Sequence, residues 1–225
     1  LDGEAILTLE GIEKTYTNGV DEKVLFGIDL EVAAGDFAVL VGKSGSGKTT
    51  LLNILGLLDT PTAGHLVLDG HDISRLNLQS YRQAVRLALS ADELFKGSIE
   101  DNITMGRTYT YPELEEALHM AHLEEDVLNL PQGLQTPVTS AGLEFPQGFV
   151  RRMMIARAII GRPRVLILDE AFNGIEEPVK QKLVDRIYSH EAWTLISVVD
   201  DDPMTIQRSD HVVVLDSGQV VWEGP

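Results

Sequence analysis

Apolar residues recur at alternate positions in three short runs near the start of the chain, AILTLEGI, KVLFGIDLEV and DFAVLVG, separated by Gly, Asn and Asp. A period of two sends successive side chains to opposite faces of a pleated strand, so residues 1–40 are predicted to be strands, mostly antiparallel, turning at TNG and AAG. Over residues 48–58 the spacing becomes helical, and the turn TPTAG follows. LVLD, residues 66–69, predicts another strand, closed by Asp69-Gly70.

The texture changes between about residues 92 and 159. Helical stretches at 111–121 and 151–160 alternate with loops rich in Gly and Pro, such as LPQGLQTPVTSAG. RVLILDE is then a continuous apolar run of the kind buried on both faces of a parallel sheet, and TLISVV and HVVVLD follow it. The simplest organisation is an α/β core at residues 1–91 and 159–225, interrupted by a helical subdomain at 92–158.

Composition narrows the function classes more than the fold. The 225 residues suit one large α/β domain or a core with an insert, and 44% hydrophobic with 24% charged is an ordinary globular balance. A net charge of −17 argues against a nucleic-acid partner, because affinity for a phosphate backbone rests on clustered Lys and Arg. The absence of cysteine excludes disulfides, thiolate metal sites and a cysteine nucleophile. Apolar runs such as FAVLVG and VLIL are strand-sized, well short of a membrane span. Because the sequence starts at Leu1 rather than Met, a piece of a longer polypeptide is expected, with any membrane part outside these residues.

Candidate chemistry begins at residues 42–49, GKSGSGKT, directly after FAVLV and directly before a helical stretch. This is the phosphate-loop pattern G-x-x-x-x-G-K-[ST] in its strand–loop–helix context. Glycines let successive backbone N–H groups curl round an anionic phosphate, and the helix N-terminus adds its dipole. Gly42, Ser44, Gly45, Ser46, Gly47, Lys48, Thr49 and Thr50 are therefore the candidate phosphate-binding residues, with Lys48 reaching the β- and γ-phosphates and Thr49 ligating Mg²⁺. RVLILDE supplies two acids. Asp169, ending a buried strand, can hold Mg²⁺ through water, and Glu170 is the candidate general base that polarises an attacking water. Their adjacency favours hydrolysis over nucleoside kinase chemistry.

With these motifs the sequence resembles the nucleotide-binding domain of ABC transporters, exporter-like, over essentially its whole length. Tyr16 in KTYTNG looks like the aromatic that stacks on adenine; LLNILGLLDTPTAGHLVLDG, ELFKGSIEDNI, LPQGLQTPV and SDHVVVLDSGQVVWEG are similar to further family segments. The resemblance implies a P-loop NTPase core, a mixed sheet with N-terminal antiparallel strands, carrying an inserted helical subdomain. It also implies ATP and Mg²⁺ as cofactors, head-to-tail pairing with itself or a second such domain, and a transmembrane domain on the same chain or a separate subunit. The expected location is the cytoplasmic face of a membrane, a bacterial inner membrane.

Several family positions are altered. In the family each ATP lies between one domain's phosphate loop and the partner's LSGGQ signature, at the head of a helix running into IARA. Aligned back from IARA, that signature falls on Phe145, Pro146, Gln147, Gly148 and Phe149, of which Gly148 alone is retained. Pro146 removes a hydroxyl and a backbone N–H, yet proline suits the first turn of a helix, so the helix is expected to persist. The family glutamine that contacts Mg²⁺ and water becomes Ser90, too short for the same task. The histidine that contacts the γ-phosphate becomes Asp200, a carboxylate that would repel it. Asp202-Pro203 has the ordinary role of an N-cap and first helical residue. After Glu170 the usual SALD becomes Asn173, Gly174, Ile175 and Glu176.

Losing one preorganised donor commonly costs about 10²–10³ in rate. The expectation is an ATP-binding exporter domain with slow or absent hydrolysis. The alternative is an ATP-gated interaction module that never turns over.

Overall fold

The computed structural model describes residues 4–17, 19–189, 193–199 and 202–225. Two compact units emerge, Leu1–Arg86 with Arg164–Ile167 and Glu191–Pro225 in the first, Leu87–Pro163 with Leu168–His190 in the second.

The first unit opens with the predicted antiparallel strands. β1 (Ala5–Thr17) pairs with β2 (Asp21–Ala33), Leu7 opposite Val32 and Leu9 opposite Leu30. Their alternating apolar residues, among them Leu7, Leu9, Ile12, Leu25 and Ile28, are fully buried, and that burial sets the register. β3 (Phe37–Val41) leaves this sheet and enters a different one. α1 (Lys48–Leu55) buries Leu51, Leu52, Ile54 and Leu55. It ends three residues before the predicted boundary, because Gly56 caps it and Leu57 turns into the left-handed region at φ 50°. β4 (Ala63–Leu68) pairs with β1 and, through a two-residue turn, with β5 (His71–Asp72). Asp69 and Gly70 both carry positive φ, as that hairpin turn requires. α2 (Leu78–Ala84) sends the buried Tyr81 hydroxyl, 2.6 Å away, to the Leu55 carbonyl, which occupies an otherwise orphan acceptor at the end of α1. β6 (Val85–Ala88) then leads out of this unit.

In the second unit, β7 (Gly97–Ser98) pairs with β8 (Pro137–Val138), flanking α3 (Ile99–Thr104), α4 (Tyr111–Met120) and α5 (Glu124–Leu128). α6 (Gln147–Ile159) is packed against α3 and α4 and is buried on most of its surface. Arg157 crosses from α6 to the Asn102 carbonyl, 2.7 Å away, and burial lowers its pKa. β9 (Val165–Asp169) is buried along its full length, as its apolar run predicts, and α7 (Glu177–Tyr188) follows.

β10 (Thr194–Val199), α8 (Pro203–Arg208), β11 (His211–Asp216) and β12 (Gln219–Gly224) return the chain to the first unit. The larger sheet runs β12-β11-β3-β10-β9-β6. β3 lies between β10 and β11 and is parallel to both, so three carboxyl ends meet at one edge, where ligands of open α/β sheets bind. Asp202 is the N-cap residue of α8, Pro203 is the first helical residue, and the Thr205 hydroxyl donates to the Asp202 carboxylate at 3.0 Å.

Candidate nucleotide-binding site

The loop between β3 and α1 is shaped by what it cannot accommodate. A Cβ on Gly42 would lie 2.4 Å from the Leu215 carbonyl oxygen of β11 and 2.5 Å from Ser46 Oγ. Gly47 has φ 102° and would drive a Cβ to 2.8 Å from the Leu25 side chain. Both positions therefore need glycine, one for space and one for conformation as well. The Ser46 N–H donates to the Lys43 carbonyl at 3.1 Å, and Gly218 N–H donates to the Ser46 carbonyl at 2.9 Å, which fastens the loop to the β11–β12 turn. Lys48, the first residue of α1, curls back so that its ammonium donates to the carbonyls of Gly42 and, at 3.1 Å, Lys43. Ser44, Gly45 and Thr49 are exposed, Thr50 is half-buried, and Ser46 Oγ is buried with no hydrogen-bond partner. A cradle of glycines, a lysine and an orphaned hydroxyl fits an anionic phosphate. Thr49 offers an exposed hydroxyl to a hard cation, which takes oxygen ligands.

Tyr16, also in the first unit, is half-buried on β1. Its hydroxyl donates to Asp59 at 2.9 Å, and the Lys14 ammonium stands 4.8 Å from its ring centre. Lys14, bonded to Asp59, holds that carboxyl below the usual carboxylate range, and the Tyr16 hydroxyl adds to the effect.

The two acids lie in the second unit at the end of β9. Asp169 accepts from the Ser90 hydroxyl at 2.8 Å and from the Ser90 N–H at 3.3 Å. Ser90 is itself held from α6, where Arg151 donates to its carbonyl at 2.9 Å. Glu170 adopts φ 48°, a left-handed backbone rare outside Gly, Asn and Asp, and its carboxylate accepts from the Asn173 amide at 2.8 Å. Among the described residues no group of three His, Asp or Glu is placed to hold a metal ion.

Residues 145–149, aligned in the sequence with the family signature, lie at the head of α6 in the same unit. Pro146 occupies the N-cap position at φ −56°, ψ 144°, one place earlier than the first-turn position expected, and its carbonyl accepts from the N–H groups of Phe149 and Val150. Gln147 is the first helical residue, packed so close to Gly174 that a Cβ there would lie 2.8 Å from its side chain. Phe149 is buried and stacks on Phe145 with ring centres 4.8 Å apart. Behind it Arg152 is engaged with Asp126 at 2.6 Å and with the carbonyls of Gly148 and His122. A cleft of about 710 Å³ opens here, lined among others by Phe145, Gln147, Glu125, Asp126 and Glu176. His122 also lines it, with its pKa lowered chiefly by burial and further by Arg186.

The sequence matches the ABC transporter family over residues 25–173, from β2 through the phosphate loop to just past Glu170. The chain belongs to the ABC transporter family. The ABC multidrug transporter mdr4 of Aspergillus fumigatus is 30% identical over 96% of this chain and 16% of its own length. ABC transporter B family member 1 of Arabidopsis thaliana is 34% identical over 96% of this chain and 17% of its own length. A putative multidrug export ATP-binding/permease protein of Staphylococcus aureus is 34% identical over 92% of this chain and 36% of its own length. In three dimensions the whole chain superposes, at a TM-score of 0.90 and 30% identity, on 39% of a bacterial Atm1-family ABC exporter with ATP bound. The chain thus spans about a sixth of the length of the fungal and plant relatives.

Within this ABC transporter domain Gly42, Ser44, Gly45, Ser46 and Gly47 lie on the loop between β3 and α1, and Lys48, Thr49 and Thr50 open α1. Ser90 meets Asp169 directly, and the five signature positions share one helix start. Asp200 lies outside the described residues. Sequence reasoning missed three partners: Asn173 on Glu170, Arg151 on Ser90, and the Lys14–Asp59 pair on Tyr16. Asn173 lies three residues after Glu170, a spacing that could have suggested the bond, whereas nothing local links residue 14 to residue 59.

Proposed function

We propose that this chain is the ATP-binding domain of an exporter-type ABC transporter, pairing with itself or a second such domain around ATP and thereby moving a membrane domain. The cytoplasmic face of a membrane is its place, and the relatives' greater length supports a transmembrane domain elsewhere in the same or a partner polypeptide. ATP with Mg²⁺ is the cofactor of this domain family, and the superposing exporter carries ATP. Gly42, Ser44 to Thr50 and Tyr16 hold the nucleotide. Thr49 and Asp169 hold Mg²⁺, which supplies charge neutralisation at the phosphate oxygens. Lys48 balances the terminal phosphates, and Glu170, fixed by Asn173, accepts the proton of an attacking water. Residues 92–158 form the helical signature subdomain on the 1–91 and 159–225 core.

The observation that carries the reading of impaired hydrolysis is the head of α6. Pro146 has no N–H to offer, Gln147 fills the space against Gly174, and Phe149 is turned into the core. The adjoining cleft presents Glu125, Asp126 and Glu176, and its arginine, Arg152, is bound to Asp126. Carboxylates at that surface disfavour a partner's γ-phosphate. Slow or absent turnover follows, with each composite site lacking at least one contact. The same observation favours the second reading, an ATP-gated interaction module, should turnover prove absent altogether.

ATP binding and steady-state hydrolysis by the 225-residue chain, beside Glu170→Gln, form the test. Binding with turnover about 10² or more below that of a complete site is expected. Vigorous hydrolysis that Glu170→Gln abolishes would sink the impaired-site reading, and failure to bind ATP would sink both.

A further inference from the structure

Residues 59–62 are stitched to β1 at several points. Lys14 donates to Asp59 at 2.5 Å and to the Thr60 carbonyl at 2.8 Å, and the Tyr16 hydroxyl donates to the other Asp59 oxygen at 2.9 Å. The Thr15 N–H donates to the Thr62 hydroxyl at 2.9 Å, and the Thr62 N–H donates to the Glu13 carbonyl at 2.8 Å. Lys14 is only 8% exposed, although a lysine is among the costliest side chains to bury and an apolar residue would pack β1 without that cost. Its ammonium faces the Tyr16 ring at 4.8 Å, within cation–π range. One face of the ring is thus covered, its hydroxyl is committed, and its plane is fixed by a carboxylate that is itself pinned by a buried cation.

We infer that Lys14 and Asp59 are positioning residues for base stacking: they hold Tyr16 so that a nucleotide's purine meets the ring face opposite the Lys14 ammonium, on a ring whose hydroxyl proton is already given to Asp59. This rests on the nucleotide-binding reading above. Lys14 touches no phosphate in this scheme; it acts through Tyr16. At this ring the base is gripped by its π-face, a contact that every base can make, not by hydrogen bonds.

The test separates base from phosphate. The 225-residue chain, its Lys14→Met variant and its Tyr16→Phe variant are titrated with Mg·ATP and, as a base-free probe, with Mg·tripolyphosphate. Lys14→Met should weaken ATP about five- to tenfold, part of what one stacked base contributes, while tripolyphosphate stays within about twofold. Tyr16→Phe, which keeps the ring and Lys14 but cuts the hydroxyl link to Asp59, should weaken ATP by a smaller factor, again without moving tripolyphosphate. That second variant decides the matter if Lys14→Met does not fold. The inference is overturned if folded Lys14→Met binds ATP as the parent does, or if both ligands weaken together, which would mark a general distortion. It is equally overturned if Tyr16→Phe leaves the preference for ATP over tripolyphosphate unchanged. A parent chain that binds neither ligand refutes the nucleotide reading itself, an outcome distinct from these.

Discussion

Ser46 lies among the glycines of the loop between β3 and α1. Its hydroxyl is buried and unpartnered, a state that costs roughly 1–3 kcal/mol in an ordinary interior. Ser46→Ala should therefore leave the ligand-free domain as stable as the parent, or more stable by up to about 1 kcal/mol, yet weaken Mg·ATP. Thermal unfolding with and without nucleotide reads both signs at once. Asp59 gives a second residue-scale expectation. Its folded pKa lies below the unfolded value of about 3.9, so it contributes stability above pH 4 and loses it as the pH falls through the folded value. Lys14→Met removes the largest cause of that depression, and its acid-unfolding midpoint should move to higher pH. Neither the Lys14–Asp59 pair nor the Ser90–Asp169 bond was legible in the sequence, because residues 45 and 79 positions apart meet only when the sheets form.

Elements were far more readable than contacts. Period-two runs found β1 and β2, and the apolar run RVLILDE found β9, since burial on one face or on two writes itself directly into residue order. The phosphate loop was legible for a different reason: its geometry tolerates few residues. Gly47→Ala tests that. With φ 102° and Leu25 at 2.8 Å from any Cβ, it should cost about 1–2 kcal/mol or more and abolish ATP binding, measured by denaturant unfolding and calorimetric titration. At the start of α6, Phe149 is 6% exposed and continues the buried stripe of Met153, Ala156 and Ile160, at helical spacing visible in the sequence. Phe149→Gln, which restores a signature residue, should destabilise the domain by about 2–4 kcal/mol. A denaturation midpoint equal to that of the parent would show that the site needs no aromatic.

For the whole molecule, charge governs encounter. A body of net charge −17 repels an anionic nucleotide at long range and repels a second copy of itself more strongly. Raising ionic strength from about 10 mM to 150 mM shortens the Debye length from about 30 to about 8 Å, so the association rate of Mg·ATP should rise across that range. Stopped-flow mixing with a fluorescent ATP analogue would show it; a falling rate would mean that the phosphate loop's local field outweighs the net charge. The stacked pair Phe145 and Phe149 ties two neighbouring positions into one energetic unit at the head of α6. Replacing either ring removes the packing partner of the other, so the two substitutions made together should cost less than the sum of each made alone.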